Sequence, residues 1–159
     1  MERVNNILNN NKYKRYLGLI EKFETNREFC KHDLKHFIDV ARIAYILVME
    51  NRIEIKKELV YATALLHDIG RWQQYKNGVP HDDASIALSE GILIQSGFDE
   101  YEKDIILNAI RHHRNGNEEM NDFNNIFSIS DKLSRECYIC SALKECKWSN
   151  NRKNYKINY

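Results

Sequence analysis

Residues 58–69 read ELVYATALLHDI, a stretch that is apolar nearly all round and stops at Gly70. A segment of that kind fits a helix enclosed on every side at the centre of a fold. Its polar interruption is His67-Asp68. An unpaired carboxylate in such surroundings costs several kcal/mol of desolvation and must find a cation, a donor or a proton. A bound metal ion meets that demand. The alternative is a hydrogen-bonded core histidine beside an aspartate that caps the helix or pairs with Arg71.

The rest of the chain favours long helices joined by short loops, because one proline (Pro80) and six glycines interrupt it and alternating β-branched runs are scarce. We therefore expect an all-α fold, a single compact bundle of about six helices. In residues 34–49, Leu34, Phe37, Ile38, Ala41, Tyr45 and Val48 recur at three- and four-residue steps and form one apolar stripe, with His36 beside it. A further helix is expected over residues 84–95, with Gly97 beyond it. Asp99 and Glu102 then have the D-x-x-E spacing of a capping pair, opening a helix through Ile110 that delivers His112 and His113 at its end. The Asn- and Gly-rich residues 115–125 predict a long loop, and the run FNNIFSISDKLSREC that begins at Phe123 predicts another helix.

A chain of 159 residues has room for one domain and buries roughly 68–70% of its unfolded surface, so its core needs no disulfides. Lysine plus arginine (24) nearly cancel aspartate plus glutamate (23), which removes the broad basic field of a general nucleic-acid binder. Lys147, Arg152, Lys153 and Lys156 do gather after Glu145, and we read them as a solvated, frayed tail. No apolar run is long enough for a signal segment or a membrane span, so a cytoplasmic protein is expected. In that compartment four cysteines point to metal binding, redox chemistry or burial.

The dipeptide His-Asp occurs three times, as His32-Asp33, His67-Asp68 and His81-Asp82, so only its context discriminates. His36 in HFIDVARIA, His67 and Asp68 in ATALLHDIGR, and Asp131 in IFSISDKLSRE give the chain an ordered pattern. It resembles that of the HD-domain superfamily of metal-dependent phosphohydrolases: a His, then His-Asp on an apolar helix, then a distant Asp. The resemblance covers roughly residues 32–136 and implies that His36, His67, Asp68 and Asp131 share one metal. Imidazoles and carboxylates suit Mn, Fe, Co, Ni or Zn, and four protein ligands leave octahedral positions open for water and phosphate.

His81, His112 and His113 follow in the order used by two-metal members of the superfamily. GVPHDDAS and AIRHHRNG resemble segments of bacterial symmetrical dinucleoside-tetraphosphate hydrolases, which implies His81 and His113 as ligands of a second metal and Asp68 as the bridge. The HD-GYP phosphodiesterases also carry a His-His pair, which keeps His112 open as a ligand, but this chain lacks their GYP segment. Histidines engaged only in packing are the plain alternative for all three. Arg71 follows His67 by four residues, where the superfamily often has a basic residue for a substrate phosphate or a neighbouring acid. Arg111, Arg114 and Lys132 are further phosphate candidates.

Cys137, Cys140 and Cys146 form a C-x2-C-x5-C cluster six residues after Asp131, and Cys30 stands six residues before His36. If the helices bearing His36 and Asp131 run antiparallel, Cys30 approaches Cys137. The four thiols would then suit a structural zinc or an iron–sulfur cluster, or serve as inert packing groups.

These readings converge on one domain over residues 1–159, with an HD core of about 32–136 and a cysteine-containing extension at 137–159. The expected activity is hydrolysis of a phosphoester or phosphoanhydride in a small, nucleotide-like substrate, by water activated at one or two divalent metals. The alternative is a metal-loaded binding or redox-sensing module without turnover. No membrane partner and no nucleic-acid partner are expected.

Overall fold

A computed structural model describes residues 1–114 and 122–159. These residues form eight α-helices and two short 3-10 turns, with no strand among them, so the all-α expectation holds while the count exceeds about six. The helices are α1 (Glu2–Asn9), α2 (Asn11–Phe23), α3 (Leu34–Glu50), α4 (Lys57–Leu66), α5 (Arg71–Asn77), α6 (His81–Gln95), α7 (Glu100–His112) and α8 (Phe123–Leu133). Three helices, α1, α2 and the two-turn α5, stand beyond those placed from the sequence; α2 does carry an apolar stripe at Tyr13, Tyr16, Leu17 and Ile20, whereas α1 and α5 are too short to show one. Among the described residues no helix is long and apolar enough to cross a membrane.

The all-round apolarity of α4 has a direct cause. Leu59, Ala62, Leu65 and Leu66 face one core with Ile7, Ile92, Ile106 and Ile110. Val60 and Ala64 face a second core with Val40, Leu47 and Phe127 of α3 and α8. Each such leucine or isoleucine contributes about 1.5–3 kcal/mol on burial. The helix carrying His67-Asp68 is therefore clamped from both sides.

Local signals set the ends of the other helices. The Asp33 side chain accepts from the His36 amide at 2.9 Å, so this aspartate caps α3 and is spent on that role. Asp99 and Glu102 form the expected reciprocal capping box at the start of α7. Three boundaries differ from expectation. Helix α4 ends at Leu66, so His67 is its C-cap and Asp68 lies in the tight turn before α5. Helix α6 begins at His81 instead of residue 84, because Pro80 precedes it with an extended backbone. Of the loop expected over 115–125, residues 115–121 lie outside the described residues, whereas Asp122 caps α8 and residues 123–125 are already helical.

Candidate metal centre

Five histidines converge on the turn after α4, and each is oriented from behind. His67 Nδ1 meets the Ala64 carbonyl at 2.8 Å and His113 Nδ1 meets that of Ile110 at 2.5 Å. His81 Nδ1 is 2.9 Å from Gln74 Oε1, and His32 Nδ1 is 2.5 Å from Glu24 Oε1. Ser134 donates its hydroxyl hydrogen to the Asp131 carbonyl, which leaves its oxygen to accept from His36 Nδ1 at 3.1 Å. With Nδ1–H committed outward, each Nε2 lone pair is left for the centre, the arrangement that outer hydrogen-bond partners impose on metal-binding histidines.

Asp68 is fully buried at the meeting point, and neither of its carboxylate oxygens makes a hydrogen bond. Its Oδ2 faces His67 Nε2 at 3.4 Å, His32 Nε2 at 3.7 Å and Arg71 Nε at 3.1 Å. Its Oδ1 faces His81 Nε2 at 3.2 Å and His113 Nε2 at 3.7 Å. Donor atoms of His36, His67 and Asp68 lie within 4.8 Å of one another, and so do those of Asp68, His81 and His113. The two groups share Asp68. Asp131 closes the first side, its Oδ1 being 3.2 Å from His36 Nε2 and 3.8 Å from His67 Nε2, while Arg135 donates to that oxygen at 2.9 Å.

The electrostatics fit a cation. Burial disfavours charge on Asp68, yet Arg71, His67 and His32 outweigh it and hold this carboxyl well below the usual range. Arg135 and His36 do the same for Asp131 against the same penalty. Burial pushes His36 down to about 4 and His81 down to about 3, keeping both neutral. His67 is buried too, but Asp68 and Asp131 overcome the penalty and raise it to about 9. The two carboxylates, both held ionised, thus concentrate negative charge at the centre and favour a cation there. The Nε2 atoms of His81 and His113 also face each other at 3.3 Å, a contact between two ring nitrogens that a shared cation would reconcile.

The remaining sequence candidates divide. Arg71, Arg114 and Lys132 line a cavity of about 590 Å³ that reaches His32, His113 and Asp131. His112 stands outside: it is exposed, and its Nδ1 meets the Asn108 carbonyl at 2.8 Å, because adjacent residues on a helix point about 100° apart. Arg111 is likewise exposed and lines a separate surface groove with Glu90, Tyr101 and Asp104, away from the centre.

Cys30, Cys137, Cys140 and Cys146 are free thiols that all line the large cavity, so the two segments do meet there. No three of the sulfurs come within 4.8 Å of one another, and the structure gathers the thiols on one wall without closing a ligand set. The basic tail departs in part from expectation. Asn154 ties it to the end of α8 through contacts to the carbonyls of Lys132, Leu133 and Arg135, while Lys147, Arg152 and Lys156 are exposed as expected.

Several residues of the site escaped the sequence reading. His32 is one, although its His-Asp dipeptide had been counted. Glu24 orients it and accepts from the Tyr75 hydroxyl at 2.5 Å. Burial opposes ionisation of Glu24, but hydrogen bonds from His32 and Tyr75 outweigh it and bring its carboxyl down to about 2. Gln74, Ser134 and Arg135 were also missed, since no spacing rule marks an orienting side chain.

Comparison with known proteins gives the family and the fold. The family model described as HD domain matches residues 33–136. An uncharacterized protein of Clostridium beijerinckii is 45% identical over 159 residues, all of both chains. A crystal structure described as that of a predicted HD superfamily hydrolase from an uncultured Thermotogales bacterium superposes with a TM-score of 0.61 at 22% identity. The match covers 88% of this chain and 80% of that one, and it supports the shared fold.

Proposed function

The chain belongs to the HD-domain family, a superfamily of metal-dependent hydrolases, and on that premise we propose that it hydrolyses a phosphoester or phosphoanhydride of a nucleotide-like substrate. The observation that carries this reading is the two-sided setting of Asp68, whose oxygens each face a separate group of imidazoles.

In this reading His36, His67, Asp68 and Asp131 would hold one divalent ion, and His81 and His113, together with Asp68, would hold a second. Bound ions would supply Lewis-acid charge for the phosphoryl oxygens and acidify an attacking water. The chain's own residues do the rest. Arg71 steadies the Asp68 carboxylate from the cavity side, and Arg135 steadies Asp131. Lys132 and Arg114 line the same cavity and would bind phosphate oxygens. His32, held by Glu24, presents its Nε2 toward Asp68 and can accept or return a proton there. No serine or cysteine nucleophile is required. We also propose one domain over residues 1–159, with the HD core at about 32–136 and an extension at 137–159.

Purified protein should be analysed for metal and offered mononucleotides, dinucleoside polyphosphates and cyclic dinucleotides with Mn or Fe. Asp68→Ala is expected to lose both metal and turnover. Undiminished metal with retained turnover in that variant would overturn the assignment, and a metal-loaded wild type inert toward every phosphoester would favour a binding module instead.

A further inference from the structure

Residues 137–159 follow the segment matched by the family and are held in place. Asn154 Nδ2 lies 2.8, 3.2 and 2.9 Å from the carbonyl oxygens of Lys132, Leu133 and Arg135, at and just beyond the end of α8. Lys153 Nζ donates to the Leu143 carbonyl at 3.3 Å, and the Tyr155 hydroxyl to Asn150 Oδ1 at 3.0 Å. These ties fix Lys147, Trp148 and Arg152 in the wall of the cavity that reaches Arg71, His113 and Asp131.

The charge on that wall is one-sided. Arg27, Arg71, Arg114 and Arg135 each lie within 4.0 Å of a carboxylate. Lys132, Lys147 and Arg152 line the same cavity and form no ion pair among the described residues. In a chain of net charge +1, three free cations around one opening are a local concentration that overall composition does not explain. A phosphomonoester carries about −2 at neutral pH, one charge short of those three cations, and each further phosphate in a chain supplies more. Trp148 and Phe29 line the cavity too, and its volume of about 590 Å³ falls in the range that holds an entire small ligand.

We propose that Lys147, Trp148 and Arg152 form a substrate-binding wall selective for a chain of two or more phosphates joined to a planar ring, with Lys147 and Arg152 on the phosphates and Trp148 against the ring. The wall rests on the phosphohydrolase reading for its place beside the metal centre, while its selectivity is measured without turnover. Two of its three residues are exposed and Trp148 is half-buried, so packing does not consume them.

The test is calorimetric titration of the metal-containing protein with inorganic phosphate, tripolyphosphate, AMP and β,γ-methylene-ATP, with tryptophan fluorescence recorded in parallel. Tripolyphosphate is expected to bind about tenfold more tightly than phosphate, since charge-assisted contacts to the added groups accumulate. The ATP analogue should bind more tightly than AMP and perturb a fluorescence signal that Trp148→Phe removes. Lys147→Ala with Arg152→Ala should erase the tripolyphosphate preference, and Lys147→Arg should retain it. A wild type that binds phosphate and tripolyphosphate equally overturns the wall, as does an unchanged preference in a double variant whose melting curve matches wild type. If that variant does not fold, Lys147→Gln and Arg152→Gln singly must each weaken the preference. Protein that holds metal and hydrolyses phosphoesters without the preference sinks the wall alone. Protein with the preference but no metal or turnover sinks the hydrolase reading alone.

Discussion

Gly70 donates its amide hydrogen to Ser85 Oγ across 2.9 Å, and this contact lays the turn that bears Asp68 against the helix that begins with His81. A Cβ at position 70 would lie 2.4 Å from the Ser85 nitrogen and 2.6 Å from Ala84 Cβ. The glycine is needed for this approach, not for its backbone angles, since its φ is −85°. Gly70→Ala should therefore destabilise the fold by about 1–3 kcal/mol through overpacking. Urea denaturation measures this, and metal analysis should show weaker retention as Asp68 and His81 are forced apart. A cost below about 0.5 kcal/mol would contradict the close approach.

The adjacent histidines at the end of α7 should behave in opposite ways. His113→Ala is expected to lower both bound metal and turnover, because His113 Nε2 is 3.7 Å from Asp68 Oδ1. His112→Ala should leave both near wild type, its ring being exposed and bonded to its own helix. Equal losses in the two variants would remove His113 from the centre as a specific ligand.

Glu24 holds His32 Nδ1 at 2.5 Å, and the opposite ring nitrogen of His32 lies 3.7 Å from Asp68 Oδ2. Glu24→Ala removes the carboxylate that orients the ring and leaves His32 free to turn, so activity should fall by about 10–100-fold, the usual cost of losing an orienting partner. Turnover of a phosphoester at saturating Mn gives the number. Glu24→Asp should recover part of the loss if orientation is the cause, whereas equal defects in both variants would point to general destabilisation.

Acid stability should depend on a contact far from the centre. Hydrogen bonds from Arg3 lower Glu102 to about 2, with burial opposing and Lys56 assisting at 2.9 Å. A carboxyl depressed on folding contributes stability that is complete above its ordinary value of about 4.5 and is lost as the pH falls toward 2. Thermal melts between pH 5 and about 2 should therefore fall less steeply for Glu102→Gln than for wild type, from a lower starting point at pH 5. Parallel slopes would show that the pair does not contribute.

Helix α3, the capping box of α7 and the ordered histidines and aspartates were legible because they depend on neighbours three or four residues away, or on residue types that few roles can use. Helix α4 was legible in its apolarity but overrun at its end, since the turn at Asp68 is stabilised by Arg71, His81 and Ser85 and not by a breaker in its own sequence. The choice of His113 over His112 needed the rotational position of α7. Arg111 was misplaced for the same reason.

By itself the sequence determined the class of fold, the central helix and the set of residues able to carry metal chemistry, because periodicity and side-chain identity act locally. Tertiary structure alone decided that His32 joins the centre through Glu24, that Asp68 faces two imidazole groups, and that the basic tail is fastened by Asn154 over the cavity. Those relations join segments as far apart as Glu24 and Tyr75, or Leu133 and Asn154. Contacts between remote segments leave no period in the chain, so they exist only once the helices have packed.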